Sequence, residues 1–174
     1  MKRLFYYLAL TMLMPSAFAI ENNVQISGQL VAEPCTLSTD SSAITLDFGN
    51  LVIKYFYQTS RTPGEPFAIV LTECDTSLGN SATVTFKGTE SVALPGLLVP
   101  DDGDTHGIAF GIETDEGSPQ PLALNQPSPV FALANGTNTL ALRGYVQAEP
   151  DAIAAQSLTA GPFIATATFQ IDYP

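Results

Sequence analysis

An all-β sandwich is what this sequence predicts, on three observations. Short runs rich in Thr, Val, Ile and Phe recur with turn chemistry between them, and no stretch has the apolar spacing of a convincing amphipathic helix. Two cysteines, Cys35 and Cys74, are available to staple those runs together. About seven short strands with one inter-strand bridge fit an immunoglobulin-like sandwich. The chain has no tryptophan, so the residue that an antibody-type domain packs on its bridge is missing.

The elements follow in order. Lys2 and Arg3 precede an apolar run from Leu4 to Met14 and then Pro15-Ser16-Ala17-Phe18-Ala19, which predicts a secretory signal peptide over residues 1–19. That run is too short to cross a bilayer comfortably and no later stretch is longer, so membrane insertion is not expected. Val24, Ile26, Gly28 and Leu30 then alternate within a candidate strand over 24–32. Gly28 falls in register with the apolar positions, where it either leaves room for close backbone approach or marks a bulge. Further strands are predicted at 43–48, 66–73, 81–87, 107–113, 139–146 and 163–173. The breakers between them are Thr62-Pro63-Gly64, Pro95-Gly96, Pro100-Asp-Asp-Gly103, Gly117-Ser-Pro-Gln-Pro121 and Asn135-Gly136. Residues 149–161 read as a loop with small packing residues of its own, compatible with a brief helical turn. There is no internal repeat and no sign of a second domain.

Once the signal is removed, Lys54, Arg61, Lys87 and Arg143 stand against 17 acidic residues. Such a surface repels phosphate backbones and anionic headgroups, which excludes nucleic acid as a partner. In an exported chain Cys35 and Cys74 read as one disulfide. His106 is the single histidine, set in the polar run Asp101-Asp-Gly-Asp-Thr-His106, too few for a copper or zinc centre and poorly placed for a catalytic triad. Asp101, Asp102 and Asp104, with Glu113, Asp115 and Glu116, do not meet a calcium-loop spacing. No metal, cofactor or enzymatic activity is expected.

The last twelve residues carry the strongest signal. Ala165, Ala167, Phe169, Ile171 and Tyr173 share one face of a strand, and Thr166, Thr168, Gln170 and Asp172 share the other. An apolar-faced strand at one end and a spare alternating run at the other leave three arrangements open. The last strand is an ordinary edge, pairs with the first strand of its own chain, or takes part in strand exchange between molecules.

Several motifs, taken together, resemble the chaperone–usher pilins of Gram-negative bacteria. They are Gly28 in the alternating leader, Pro34-Cys35, Asp47-Phe48-Gly49, Leu71-Thr-Glu-Cys74, Thr83-Val-Thr-Phe-Lys-Gly-Thr89, Gly107-Ile-Ala-Phe-Gly111 and the alternating end with Tyr173 next to last. Phe86-Lys-Gly-Thr-Glu90, Ala93-Leu-Pro-Gly96 and Ala165-Thr-Ala-Thr-Phe169 are most similar to the tip adaptor subunits of P pili. The resemblance implies an incomplete immunoglobulin-like sandwich that lacks its C-terminal strand and is completed by a donor strand from a neighbouring subunit. It divides the chain into a signal peptide (1–19), a donor-strand extension (20–33) and a pilin domain (34–174). Val24, Ile26, Gly28 and Leu30 are then the donor positions, and Ala165, Ala167, Phe169, Ile171 and Tyr173 the wall of the acceptor groove and chaperone-binding strand. The implied partners are a periplasmic chaperone, an outer-membrane usher and adjacent pilin subunits, and the implied destination is the cell-surface fimbrium. Pro174 departs from the pattern, since proline cannot donate a backbone hydrogen bond and shortens the end of any ladder.

The alternative function is a small tip lectin gripping a host glycan. Its basis is Tyr55, Phe56 and Tyr57, the one exposed-looking aromatic cluster, which otherwise reads as a strand edge or subunit contact.

Overall fold

The computed structural model describes residues 26–27, 33–101 and 105–174. Ala32–Pro174 make one compact unit, and the description that follows is of it. Two antiparallel sheets enclose the core. The larger takes strands in the order β1 (Thr36–Leu37), β2 (Glu65–Cys74), β7 (Gly136–Ala148), β4 (Ile108–Thr114) and β5 (Pro121–Leu122). The smaller is β6 (Phe131–Ala132), β3 (Ser81–Lys87) and β8 (Thr168–Asp172).

The predicted strands at 66–73, 81–87, 107–113 and 139–146 correspond to β2, β3, β4 and β7; β3 matches its expected span, and the other three are displaced or extended at their ends by one to three residues. Their inward residues explain the sheets. Ile69 and Leu71 of β2, Val84 of β3 and Leu140 and Leu142 of β7 are buried in one cluster with the two cysteines. Each such side chain contributes roughly 1.5–3 kcal/mol by leaving water. Cys35 and Cys74 form the expected disulfide, tying the segment before β1 to the end of β2. Just before it the β2–β7 register shifts between Leu71 and Cys74, where Glu73 takes φ 54°. Opposite, Gly111 of β4 has no alternative. A Cβ there would stand 2.1 Å from Cζ of Tyr145, whose ring lies across the strand.

That ring is part of a charged cluster on the larger sheet. The Arg61 guanidinium sits 3.8 Å from the Tyr145 centroid. It donates to both carboxylate oxygens of buried Glu113 at 2.8 and 3.1 Å. Glu113 holds Arg61 in its charged form against the cost of burial. Arg143 pairs with Asp115 in the same region.

Three expectations need correction. Residues 53–59 form a helix, α1 (Ile53–Thr59), although no helix was expected there. At seven residues it is too short to show a helical period. What holds it is Phe56, which inserts into a second apolar cluster with Ile108, Val146, Ala148, Ala152 and Leu158. Ser60 ends it in the left-handed region at φ 60°. Second, residues 149–161 open with a true helix, α2 (Pro150–Ala155). Pro150 sits in its first turn, where a missing N–H costs nothing, and Ala152 is buried in the same cluster. Third, residues 43–48 are not a strand. Ile44, Leu46 and Phe48 are half-buried and Ala43, Thr45 and Asp47 exposed, so the strand-like alternation is real. What is missing is a ladder, because no strand pairs with this segment among the described residues.

Candidate functional site: an apolar face on an edge strand

β8 pairs with β3 in the register Thr83↔Asp172, Val84↔Ile171, Thr85↔Gln170, Phe86↔Phe169 and Lys87↔Thr168. Its other edge has no strand partner among the described residues. From residue 163 to residue 174 burial alternates strictly. Phe163, Ala165, Ala167, Phe169, Ile171 and Tyr173 are half-buried, and the residues between them are exposed. Ala165, Ala167, Phe169, Ile171 and Tyr173 all pack against the main core cluster, yet none is sealed from water. An apolar face beside an unpaired row of backbone groups is the arrangement that accepts an added strand.

The expected strand over 163–173 is therefore shorter than its pattern, and only Thr168–Asp172 is laddered. Side chains and loops hold the run of residues before it. Thr166 Oγ1 donates to Asp101 Oδ2 at 2.7 Å, and the Asp101 backbone N–H donates to the Ile164 carbonyl at 2.8 Å. The Phe163 ring lies 5.4 Å from that of Phe110. On the outward face Lys87 Nζ donates to Gln170 Oε1, and Gln170 Nε2 donates to Asp172 Oδ1 at 2.7 Å. This polar chain fixes which face of β8 looks outward, so its other face must look at the core.

Aromatic rings back the site. Phe169 lies 6.2 Å from Phe86, and Phe86 lies 6.4 Å from Phe67 in an edge-on arrangement. At the far end Tyr173 is half-buried, and its hydroxyl pKa is pushed up by burial first and by the Glu33 carboxylate second. Glu33 lies just ahead of the disulfide in the sequence. The Ser81 hydroxyl donates to the Pro174 carbonyl at 3.4 Å. Ile44, from the unladdered segment 43–48, packs against the same core cluster as the β8 face. Two apolar-alternating segments thus share one core, and each lacks a strand partner on at least one edge among the described residues.

All five predicted acceptor residues are brought together on one face. Phe163 and Ile44 were not among them, although alternation begins at Phe163 and covers 43–48, so period alone would have found both. Of the predicted donor residues, Val24, Gly28 and Leu30 lie outside the described residues, and Ile26 is exposed in irregular backbone. Asp102 and Asp104 also lie outside them. His106 is exposed in a loop, its backbone N–H donating to Thr159 Oγ1 at 2.6 Å. Among the described residues no three His, Cys, Asp or Glu side chains cluster as metal ligands would.

The aromatic cluster at 55–57 is not the exposed platform expected of it, nor a strand edge. Phe56 is 4% exposed, Tyr57 packs on the second core, and Tyr55 alone reaches 39%. A helix turns successive side chains to different faces, so three adjacent aromatics cannot share one.

Two facing sheets, one of them ending in a half-covered apolar strand, define a pilin-type sandwich. The chain belongs to the Fimbrial family (fimbrial protein), whose model matches residues 24–174. It is 31% identical over 159 residues to the fimbrial adapter PapK of Escherichia coli, covering 89% of each chain. Its fold resembles that of the P pilus rod subunit PapA, with a TM-score of 0.69 at 21% identity, over 82% of this chain and all of that one. A chaperone–usher pilus structure that addresses rod uncoiling matches with a TM-score of 0.66 at 21% identity, over 92% of this chain and all of the other. The protein is a structural subunit of the cell-surface fimbrium, of an incomplete immunoglobulin-like fold, and makes contact with other pilin subunits.

Proposed function

We propose that this subunit joins its neighbours by donor-strand exchange. The observation that carries the proposal is the face of Ala165, Ala167, Phe169, Ile171 and Tyr173, packed on the core yet half open beside an edge with no strand partner among the described residues. A neighbour's leader enters there and supplies the missing strand. This chain's own leader, residues 20–33, does the same for the next subunit, with Val24, Ile26 and Leu30 entering the apolar face and Gly28 allowing close approach. Each apolar donor side chain contributes roughly 1.5–3 kcal/mol gross and each ladder hydrogen bond roughly 1 kcal/mol. A fibre so built needs no covalent link.

Before assembly the same face needs a temporary cover, since an apolar edge invites aggregation. A periplasmic chaperone lends a strand, and the outer-membrane usher is where the next leader replaces it. The open face runs the whole length from Phe163 to Tyr173, which supports a subunit that accepts a donor. The likeness to an adapter favours a minor, joining position. The glycan-binding alternative loses its main support, because Phe56 and Tyr57 are turned into the core.

The test is thermal unfolding of residues 34–174 with and without a synthetic peptide of residues 20–33. Binding to the folded state alone raises the midpoint by mass action. The reading predicts a large, slowly reversing rise. An unchanged midpoint in an already stable domain would sink it.

A further inference from the structure

Near the disulfide, two turns are tied to each other. Asn135 and Gly136 lie at the connection from β6 to β7, and Thr76 lies in the turn after Cys74. Asn135 Oδ1 accepts from the Thr76 backbone N–H at 2.7 Å and from the Thr76 hydroxyl at 2.9 Å. Asn138 closes the same connection: its Oδ1 accepts from the Ala134 N–H at 2.8 Å and its Nδ2 donates to the Ala134 carbonyl at 2.7 Å. Asn135 is nonetheless exposed to water. Gly136 has φ 93° and nothing within 4 Å of where a Cβ would stand. This is the one Asn-Gly pair in the sequence.

We propose that Asn135 is a site of spontaneous deamidation and that Thr76 restrains it. The Gly136 amide nitrogen gives up its proton to base and attacks Cγ of Asn135, forming the new C–N bond of a five-membered succinimide. The bond from Cγ to the side-chain nitrogen breaks, and that nitrogen leaves as ammonia after taking up a proton. Water then adds to one ring carbonyl or the other. Opening at one restores the main-chain amide and leaves aspartate; opening at the other leaves isoaspartate. A glycine after the asparagine presents no Cβ to obstruct the attack. The side chain must turn toward the Gly136 nitrogen to react, and doing so gives up the bonds to Thr76. The rate therefore follows how often that tie opens. Either product matters to the fold. Aspartate adds a negative charge close to Asp75, and isoaspartate inserts a methylene into the backbone where Gly136 faces Cys74 in the ladder.

The experiment incubates the purified protein at mildly alkaline pH as wild type, Thr76→Val and Thr76→Ser. Peptide mapping by mass spectrometry follows the exchange of NH2 for OH at residue 135, and isoaspartyl methyltransferase labelling follows the isomer. Conversion localised to residue 135 is expected. Loss of one hydrogen bond in Thr76→Val should speed it roughly fivefold, while Thr76→Ser, which keeps the hydroxyl, should hold the wild-type rate. Unfolding midpoints of the three proteins, measured alongside, confirm that the turn variants fold. Two results overturn the proposal. One is an intact amide in all three proteins under conditions that convert a free peptide of residues 131–140. The other is equal conversion rates for wild type and Thr76→Val.

Discussion

β3 and β8 lie side by side in one sheet and show opposite degrees of closure. Val84 faces Ile171 in register, and Phe86 faces Phe169. Val84 is 1% and Phe86 5% exposed, whereas Ile171 and Phe169 are only half-buried against the same core. Side-chain chemistry does not account for the difference, since each pair matches an aliphatic with an aliphatic and an aromatic with an aromatic. Position does. Along Val84–Phe86, β3 has β8 on one side and the 125–128 segment on the other, where the Ser128 N–H donates to the Val84 carbonyl at 2.9 Å and the Asn125 N–H to the Phe86 carbonyl at 2.7 Å, while β8 has only β3 as a strand partner among the described residues. The contrast measures what one further strand would cover.

Breaking the disulfide within the core that both strands pack on should have the largest effect. Replacing Cys35 and Cys74 together by Ser opens a closure with a sequence separation of 39. The loss is expected at about 3–4 kcal/mol by the chain-entropy argument, read as a fall in the denaturant midpoint. A drop well under 1 kcal/mol would mean that β1 and the end of β2 are held mainly by packing.

Truncating the two phenylalanines probes the contrast itself. Phe86→Ala removes a sealed ring and should cost about 3–5 kcal/mol in the subunit alone. Phe169→Ala removes a half-covered ring and should cost clearly less. Addition of the leader peptide should reverse part of that inequality, because covering Phe169 adds to what its truncation loses. Equal costs in the free subunit would show that the two strands are equally closed in solution.

Most of the fold was legible because its strands announce themselves by period and by the breakers between them. β2, β3, β4 and β7 all carry the Thr, Val, Ile and Phe content and alternation that a pleated surface needs. The shared apolar face of Ala165, Ala167, Phe169, Ile171 and Tyr173 was legible for the same reason. The failures are equally physical. In 53–59 the β-branched and aromatic residues suit a strand locally, and a tertiary contact, Phe56 in the second core, overrides that preference. In 43–48 the alternation is present and the strand is not, because a strand also needs a partner, which no local pattern reveals. Exposure of the 55–57 cluster likewise depended on a helix that the sequence does not signal.

A smaller test uses the leader. Substituting Ile26→Asp in a peptide of residues 20–33 places a charge against the apolar face and should remove most of the midpoint rise seen with the native peptide. Gln25→Asp, one position along and on the opposite strand face, should leave most of the rise intact. Equal losses from both would show that the peptide does not bind as a strand with one face inward.

The smallest effect sharpens the contrast through two tyrosines. Tyr145 lies within the larger sheet, its hydroxyl pKa pushed up by burial, with Arg61 opposing and Glu113 assisting. Tyr173 lies at the open face, pushed up by burial and by Glu33. A tyrosine pKa raised by folding means that the folded state holds the phenolic proton more tightly than the unfolded chain. Its contribution to stability is therefore fully present below the ordinary tyrosine range and is lost as pH rises through the raised folded value. Phenolate absorbance resolves the two when each is replaced in turn by Phe. A donor strand laid over β8 should move Tyr173 further up by removing more water, and leave Tyr145 where it is. Glu33→Gln should lower Tyr173 alone, by relieving the like-charge repulsion that its phenolate meets. If donor peptide shifted Tyr145 as much as Tyr173, the strand would not be covering the β8 face selectively, and the difference between the sealed and open regions would need another cause.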